Sequence, residues 1–177
     1  NDAVTIGAST AGNAAGQSDS SAYAKADAIN SAGVSGLTAV ASNTINLTIA
    51  DALSTGAGAA YALTINGVSI FAETGIASGV TITAETIAAT INANSGDTGV
   101  SAVLTGGVDL ELSTTDGRDI AIGQDVTAFN TAISGGVDST TNGVTYYAGT
   151  IGSVGQATDG SNIAAAVNGG RLQLTAN

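Results

Sequence analysis

The stretch Tyr61-Ala-Leu-Thr-Ile-Asn-Gly-Val-Ser-Ile70 decides the reading of this chain. Leu63 and Ile65 alternate with polar positions before Asn66-Gly67, and Val68 and Ile70 alternate after it. Period-two apolar residues around Asn-Gly predict a β-hairpin, because both turn residues accept the positive φ of a type I′ turn. Next comes Thr83-Ala-Glu-Thr-Ile-Ala-Ala-Thr-Ile-Asn-Ala-Asn94, which predicts a helix. Thr83 caps it, Glu85 sits in its positive first turn, and Ala84, Ile87, Ala88 and Ile91 form one apolar stripe. Gly96 and Gly99 bracket its exit. Val100, Ala102 and Leu104 alternate, as do Val108, Leu110 and Leu112, and Asp116-Gly117 predicts a second hairpin into Ile120 and Ile122. A hairpin, a helix and three antiparallel strands make a small α+β unit, the helix covering one face of the sheet.

The flanks are read in the same way. Val4 and Ile6 alternate within residues 1–9, which predicts an opening strand, and residues 10–20 read as a loop. Ser20 or Ser21 caps a helix to Ser31 with Ala22, Ala26 and Ile29 on one face, ended by Gly33 and Gly36. Residues 37–42 and 45–49 read as strands joined through Asn43, and residues 51–59 as a small-residue connector. An internal repeat is visible: Ala26-Asp-Ala-Ile-Asn-Ser…Gly36-Leu-Thr-Ala-Val40 parallels Ala88-Ala-Thr-Ile-Asn-Ala…Gly99-Val-Ser-Ala-Val103. Later, residues 126–133 predict a short helix capped by Asp125 and stopped by Gly135-Gly136. Val144-Thr-Tyr-Tyr-Ala148 is β-rich, and residues 163–167 and 171–175 predict a final hairpin turning at Asn168-Gly169-Gly170.

The expected fold is therefore α+β, with two small subdomains, each an antiparallel sheet or set of hairpins with one covering helix. The outer subdomain, 55–125, is inserted into an inner one made of 1–54 and 126–177, which keeps the two ends close together. The chain opens and closes in mid-pattern, so a central portion of a longer protein is expected.

Composition narrows the function. The 177 residues carry a net charge of −11, with Lys25, Arg118 and Arg171 as the only cations. Nucleic-acid binding needs clustered cations, so that class is set aside, and adhesion to an anionic membrane is disfavoured for the same reason. No apolar run has the length of a membrane span. Cys and His are both absent, which removes disulfides, thiolate nucleophiles, Cys/His metal sites and imidazole bases. Aromatic content is 3% and Pro is absent, so turns rest on the 25 Gly residues, Asn and Asp, and the core on small side chains.

Candidate chemistry is sparse. Asp109 and Glu111 share a strand face, with Asp116 and Asp119 expected across the hairpin, which offers carboxylates to a cation. No Asp-x-Asp-x-Asp-Gly loop is present, and Asp116-Gly117 is accounted for as a turn, so no metal ligand is assigned. A glycosidase carboxylate pair would bring aromatic platforms, and the chain has four Tyr and two Phe. Lys25, on an exposed helix face, is the one base left for serine catalysis and reads as a solvated lysine. No Gly-x-x-x-x-Gly-Lys-[Ser/Thr] exists to cradle phosphate. Of Tyr146-Tyr147, one ring is expected in the core and one exposed as a contact for a sugar or partner. Asn46-Leu-Thr48 matches a glycosylation sequon and reads as accidental. Asn66-Gly67, Asn142-Gly143 and Asn168-Gly169 read as turns. No catalytic residue, cofactor or metal is expected.

The order of pieces in residues 60–123 resembles the flagellin hook IN motif: an Ile-Asn-Gly-Val hairpin, an Ala-Ala-x-Ile-Asn-Ala helix and a Gly-Val-x-Ala strand. Its two named residues fall on Ile65-Asn66 and again on Ile91-Asn92. Ser21-Ala-Tyr-Ala-Lys-Ala-Asp-Ala-Ile-Asn30 is similar to a helix of flagellin outer regions. The resemblance implies a structural protein, the surface-exposed variable outer region of a bacterial flagellar filament subunit, extracellular and without catalytic residues. It implies polymerising helices and subunit partners outside these residues, host antibodies as binders, surface glycans as a further contact, and a monomeric fragment. A carbohydrate-binding adhesin module using Tyr146 or Tyr147 is the alternative from another class. Within the flagellar apparatus, the alternative is a hook-associated or filament-cap domain. The inserted zinc protease of some flagellins is ruled out here, because no His exists to hold the metal.

Overall fold

One strand, β1 (Leu37–Ser54), runs for 18 residues, roughly 60 Å at about 3.3 Å per residue. Its pleat sends Ala39, Ala41, Asn43, Ile45, Leu47 and Ile49 to one buried side, while Val40, Ser42, Thr44 and Asn46 face out. The expected strands 37–42 and 45–49 are thus one continuous element, and the expected connector at 51–59 is partly its last turn of pleat. The structure, a computed structural model, describes residues 3–125, 127–128, 131–137 and 163–176.

The other elements are α1 (Ala22–Ser31), β2 (Ala59–Ile65), β3 (Val68–Ile76), β4 (Thr81–Ile82), α2 (Ala84–Ala93), α3 (Ser95–Thr98) and β5 (Ser101–Thr105). They continue with β6 (Asp109–Thr114), β7 (Ile120–Asp125), β8 (Thr127–Ala128), β9 (Thr131–Val137), β10 (Ile163–Asn168) and β11 (Arg171–Ala176). The fold is α+β, with every described strand pairing antiparallel. β1 changes partners along its length: β11 lies against 37–42, β6 against 43–48, β9 against 49–54, with β4 at 52–53. β5 extends that sheet beyond β6. The second sheet runs β10-β7-β2-β3.

Two apolar clusters fill the interior, and side-chain size along β1 separates them. Ala39 and Ala41 meet Ala22 and Ala26 of α1, with Ile29 packed alongside. Further along, Ile45, Leu47 and Ile49 enter a larger cluster with Tyr61, Leu63, Ile65, Ile87, Ile91, Leu110, Leu112, Ile120 and Ile122. This larger cluster also takes Val137 from β9. At roughly 25 cal/mol per Å² of apolar area, methyl groups alone give the first cluster little.

Local signals place both long helices. Ser21 caps α1 and its hydroxyl accepts from the Ala24 N–H at 3.2 Å; Thr83 caps α2 and accepts from the Thr86 N–H at 3.2 Å. Ala84, Ile87, Ala88 and Ile91 form the buried face of α2. The β2–β3 hairpin turns through Asn66 at φ 52° and Gly67 at φ 78°, the positive pair that a type I′ turn requires.

Four expectations are corrected. Residues 3–9 form no strand, and Val4 and Ile6 stay exposed because nothing pairs with them. The second hairpin does not close: β6 already has β5 on one edge and β1 on the other, so β7 crosses to the second sheet beside β2. The described part of 126–133 is strand rather than helix, since β9 finds a partner in β1. β10 and β11 are no hairpin either, because β10 joins β7 and β11 joins β1. The β-rich expectation at 144–148 lies outside the described residues.

Ile87 is wholly buried, whereas Ile29 flanks the small cluster. Ile87→Ala should lower the unfolding free energy by about 2–5 kcal/mol. Ile29→Ala should cost less, and urea unfolding of both variants checks the order.

Candidate functional site

The acidic residues separate into two unrelated places. Asp109 and Glu111 lie exposed on β6, in register with Thr48 and Asn46 of β1. Asp116 and Asp119 sit in the crossing between the sheets and are engaged there by the loop that precedes α1. The Asp116 carboxylate accepts from Arg118 Nη2 at 2.8 Å, twice from Arg118 Nε at 3.1 Å, and from Gln17 Nε2 at 3.0 Å. The buried Asp119 accepts from the Ser18 hydroxyl at 2.5 Å, and its N–H donates to the Gly16 carbonyl at 2.7 Å. Arg118 Nη1 reaches the Ala15 carbonyl at 3.1 Å. Its guanidinium lies where Gly99 (φ 69°) has no side chain; a Cβ there would come within 2.0 Å of Nη1. Among the described residues no group of three or more His, Cys, Asp or Glu is gathered to hold a metal. The four carboxylates therefore do not converge.

Partial burial would raise the Asp116 pKa. The hydrogen bonds from Arg118 and Gln17, the Arg118 N–H and the arginine's charge outweigh it and hold the carboxyl below its usual 3.8. Desolvation pushes the Tyr61 hydroxyl well above its ordinary range, so it stays protonated, and it donates to Gln124 Oε1 at 3.2 Å.

The remaining candidates lie apart from this crossing or outside the described residues. Lys25 is exposed on α1 and its ammonium donates to the Ser20 carbonyl. Asn46 and Thr48 are part of the pleat of β1. Tyr146, Tyr147 and Asn142-Gly143 lie outside the described residues. A groove of about 430 Å³ opens between β3, residues 77–80, β4 and the first turn of α2, floored by Phe71, Ile76, Val80 and Ile82. Glu73 is the one ionisable residue lining it. No described helix is long and apolar enough to cross a membrane.

What sequence reasoning missed is how the carboxamides are used. Asn92 Nδ2 donates to the Ala102 carbonyl at 2.8 Å while its Oδ1 accepts from the Ala102 N–H at 2.8 Å. Asn30 does the same to Ala39, at 2.9 and 2.8 Å. In both cases the amide stands in for the N–H and C=O that one residue of a neighbouring strand would offer. Gln124 repeats the geometry between the sheets: Nε2 donates to the Val137 carbonyl at 3.2 Å and Oε1 accepts from the Val137 N–H at 2.9 Å. Asn66 ties three segments, donating to the Thr98 carbonyl at 2.9 Å and accepting from the Ala121 N–H at 2.8 Å. The signal for the first pair lies in the internal repeat itself, which aligns Asn30 with Asn92 and Ala39 with Ala102.

These features define a class: an α+β domain whose ordered polar side chains bind its own backbone rather than converging on a catalytic centre among the described residues. No protein-family model matches the chain, and no curated protein does.

Because the folded pKa of Asp116 lies below its unfolded value, its contribution is present at neutral pH and is lost as pH falls below about 3.8 through the folded value. Asp116→Asn should flatten this part of the acid limb of stability against pH, measured by denaturant unfolding between pH 2 and 7.

Proposed function

We propose that this chain is the surface-exposed outer domain of a bacterial flagellar filament subunit, a structural protein rather than an enzyme. The observation that carries the reading is the paired use of Ile-Asn at 65–66 and 91–92. Each isoleucine is buried in the large cluster and each asparagine clamps a neighbouring segment. The two residues that name the flagellin hook IN motif are thus the two that a unit of this order needs for packing and for backbone pairing. The acidic balance of −11 supports it as well, since it suits a domain displayed on solvent and kept apart from copies of itself. A chain without disulfides can also pass unfolded through a narrow export channel.

On this reading the domain projects from a filament whose polymerising helices belong to parts of the protein outside these residues. Its work is mechanical and interfacial: it adds to the filament's width, separates neighbouring filaments and presents the surface that antibodies meet.

Antibodies raised against this chain and detected with immunogold on intact cells should label the filament along its whole length. Gold confined to the tip or the hook junction would move the protein to the cap or hook-associated class. Label spread over the cell envelope would remove the flagellar reading.

A further inference from the structure

β5 is the outermost strand of its sheet, paired with β6 alone among the described residues. An unpaired edge normally carries a guard against edge-to-edge association: a charge, a proline or a bulge. β5 has none. Its sequence is Ser101-Ala-Val-Leu-Thr105, and its register with β6 runs unbroken from Ser101↔Ser113 to Thr105↔Asp109. Val103 is 54% exposed. The edge is nevertheless occupied. In an antiparallel ladder a residue directs its N–H and C=O to the same side. The Ala102 N–H goes to Asn92, so both its polar groups face away from β6 and the carboxamide sits on the free edge. Along β5, Leu104 shares that outward direction by alternation.

We propose that Asn92 holds shut a strand-docking edge on β5, and that the occupant it excludes is the β5 edge of a second copy of this chain. The strand is self-complementary in antiparallel register about Val103. Ala102 and Leu104 of one copy would exchange hydrogen bonds with Leu104 and Ala102 of the other, and the two exposed Val103 side chains would face each other across the two-fold axis. No like charges oppose one another in that register, because Ser101, Val103 and Thr105 are all neutral. Asn30 places the same carboxamide on Ala39 of β1, at the position the internal repeat aligns with Ala102. β3, by contrast, carries Glu73 and irregular register with β2 and has no such amide in its described hydrogen bonds.

The chain has no cysteine, so Val103→Cys reports the β5–β5 contact without background. Asn92→Ser and Asn92→Ala, first checked as folded by circular dichroism, should dimerise at concentrations at least about tenfold below those at which the unsubstituted chain associates. Light scattering on a sizing column reads this. In the Val103→Cys background either Asn92 substitution should speed disulfide cross-linking, and adding Val103→Lys instead should restore the monomer. A second measurement uses the unsubstituted chain: the Ala102 amide should exchange with solvent deuterium more slowly than the Leu104 amide beside it. Monomeric Asn92 variants, association indifferent to Val103→Lys, or an Ala102 amide exchanging as fast as that of Leu104 would overturn the proposal.

Discussion

A side-chain amide closing two hydrogen bonds on the N–H and C=O of one residue is the interaction on which the rest of this structure depends. Each such bond contributes a net 0.5–1.5 kcal/mol or so, and a buried partner left unsatisfied costs more. The weight falls on these bonds because little else can carry it. The chain has no disulfide, no proline and few large side chains. Asn30 and Asn92 tie each helix to the strand that follows it, Asn66 ties the hairpin turn to α3 and β7, and Gln124 ties one sheet to the other. Gln124 is buried together with Tyr61, whose protonated hydroxyl supplies a further donor. A polar network at the junction of two sheets demands definite geometry, which apolar contacts alone, being non-directional, would not impose.

β1 turns these local ties into one architecture. Its first third lies under an alanine face and its remainder under isoleucine and leucine, so a single strand belongs to both packing clusters. Helix α1 is amphipathic only in the sense that methyl groups face inward. Its position therefore relies on the Ser21 cap, the Asn30 clamp and the Tyr23 N–H bound to the Gly117 carbonyl at 3.0 Å. Arg118 secures the same region from beneath, held by Asp116 and seated against Gly99. The N-terminal loop, the crossing at 115–119 and the end of α3 thus form one polar knot beside the small cluster.

On the reading proposed above, function rests on shape and surface. Its described carboxylates are dispersed or paired, Lys25 is exposed with its ammonium on the Ser20 carbonyl, and the groove between β3, β4 and α2 carries a single acid. On that reading the domain acts by what it displays and by what it refuses to join. That logic gives the guarded edges the same standing as the packed core.

Local chemistry was legible in the residues. Alternation around Asn66-Gly67 marked the β2–β3 hairpin, Thr83 and the Ala84/Ile87/Ala88/Ile91 stripe marked α2, and the repeated Ala-Ile-Asn marked two equivalent helix ends. These are short-range effects, set by φ preferences, capping and side-chain period. Strand partnership was not legible. Asp116-Gly117 is sound turn chemistry, yet β6 had no free edge to offer β7. The segment before Gly135 carries helix-compatible residues, yet β1 offered it a ladder. The Asn168-Gly169-Gly170 link joins strands that belong to different sheets. The clamps were half visible: the repeat aligned their residues, but only the folded chain brought each amide to its peptide. Sequence determined the β2–β3 turn and the caps and apolar faces of α1 and α2, because those depend on neighbours a few residues away; the tertiary structure decided which edges meet, and with them that residues 131–137 are strand, because a strand's hydrogen bonds can be satisfied by any edge that packing leaves within reach.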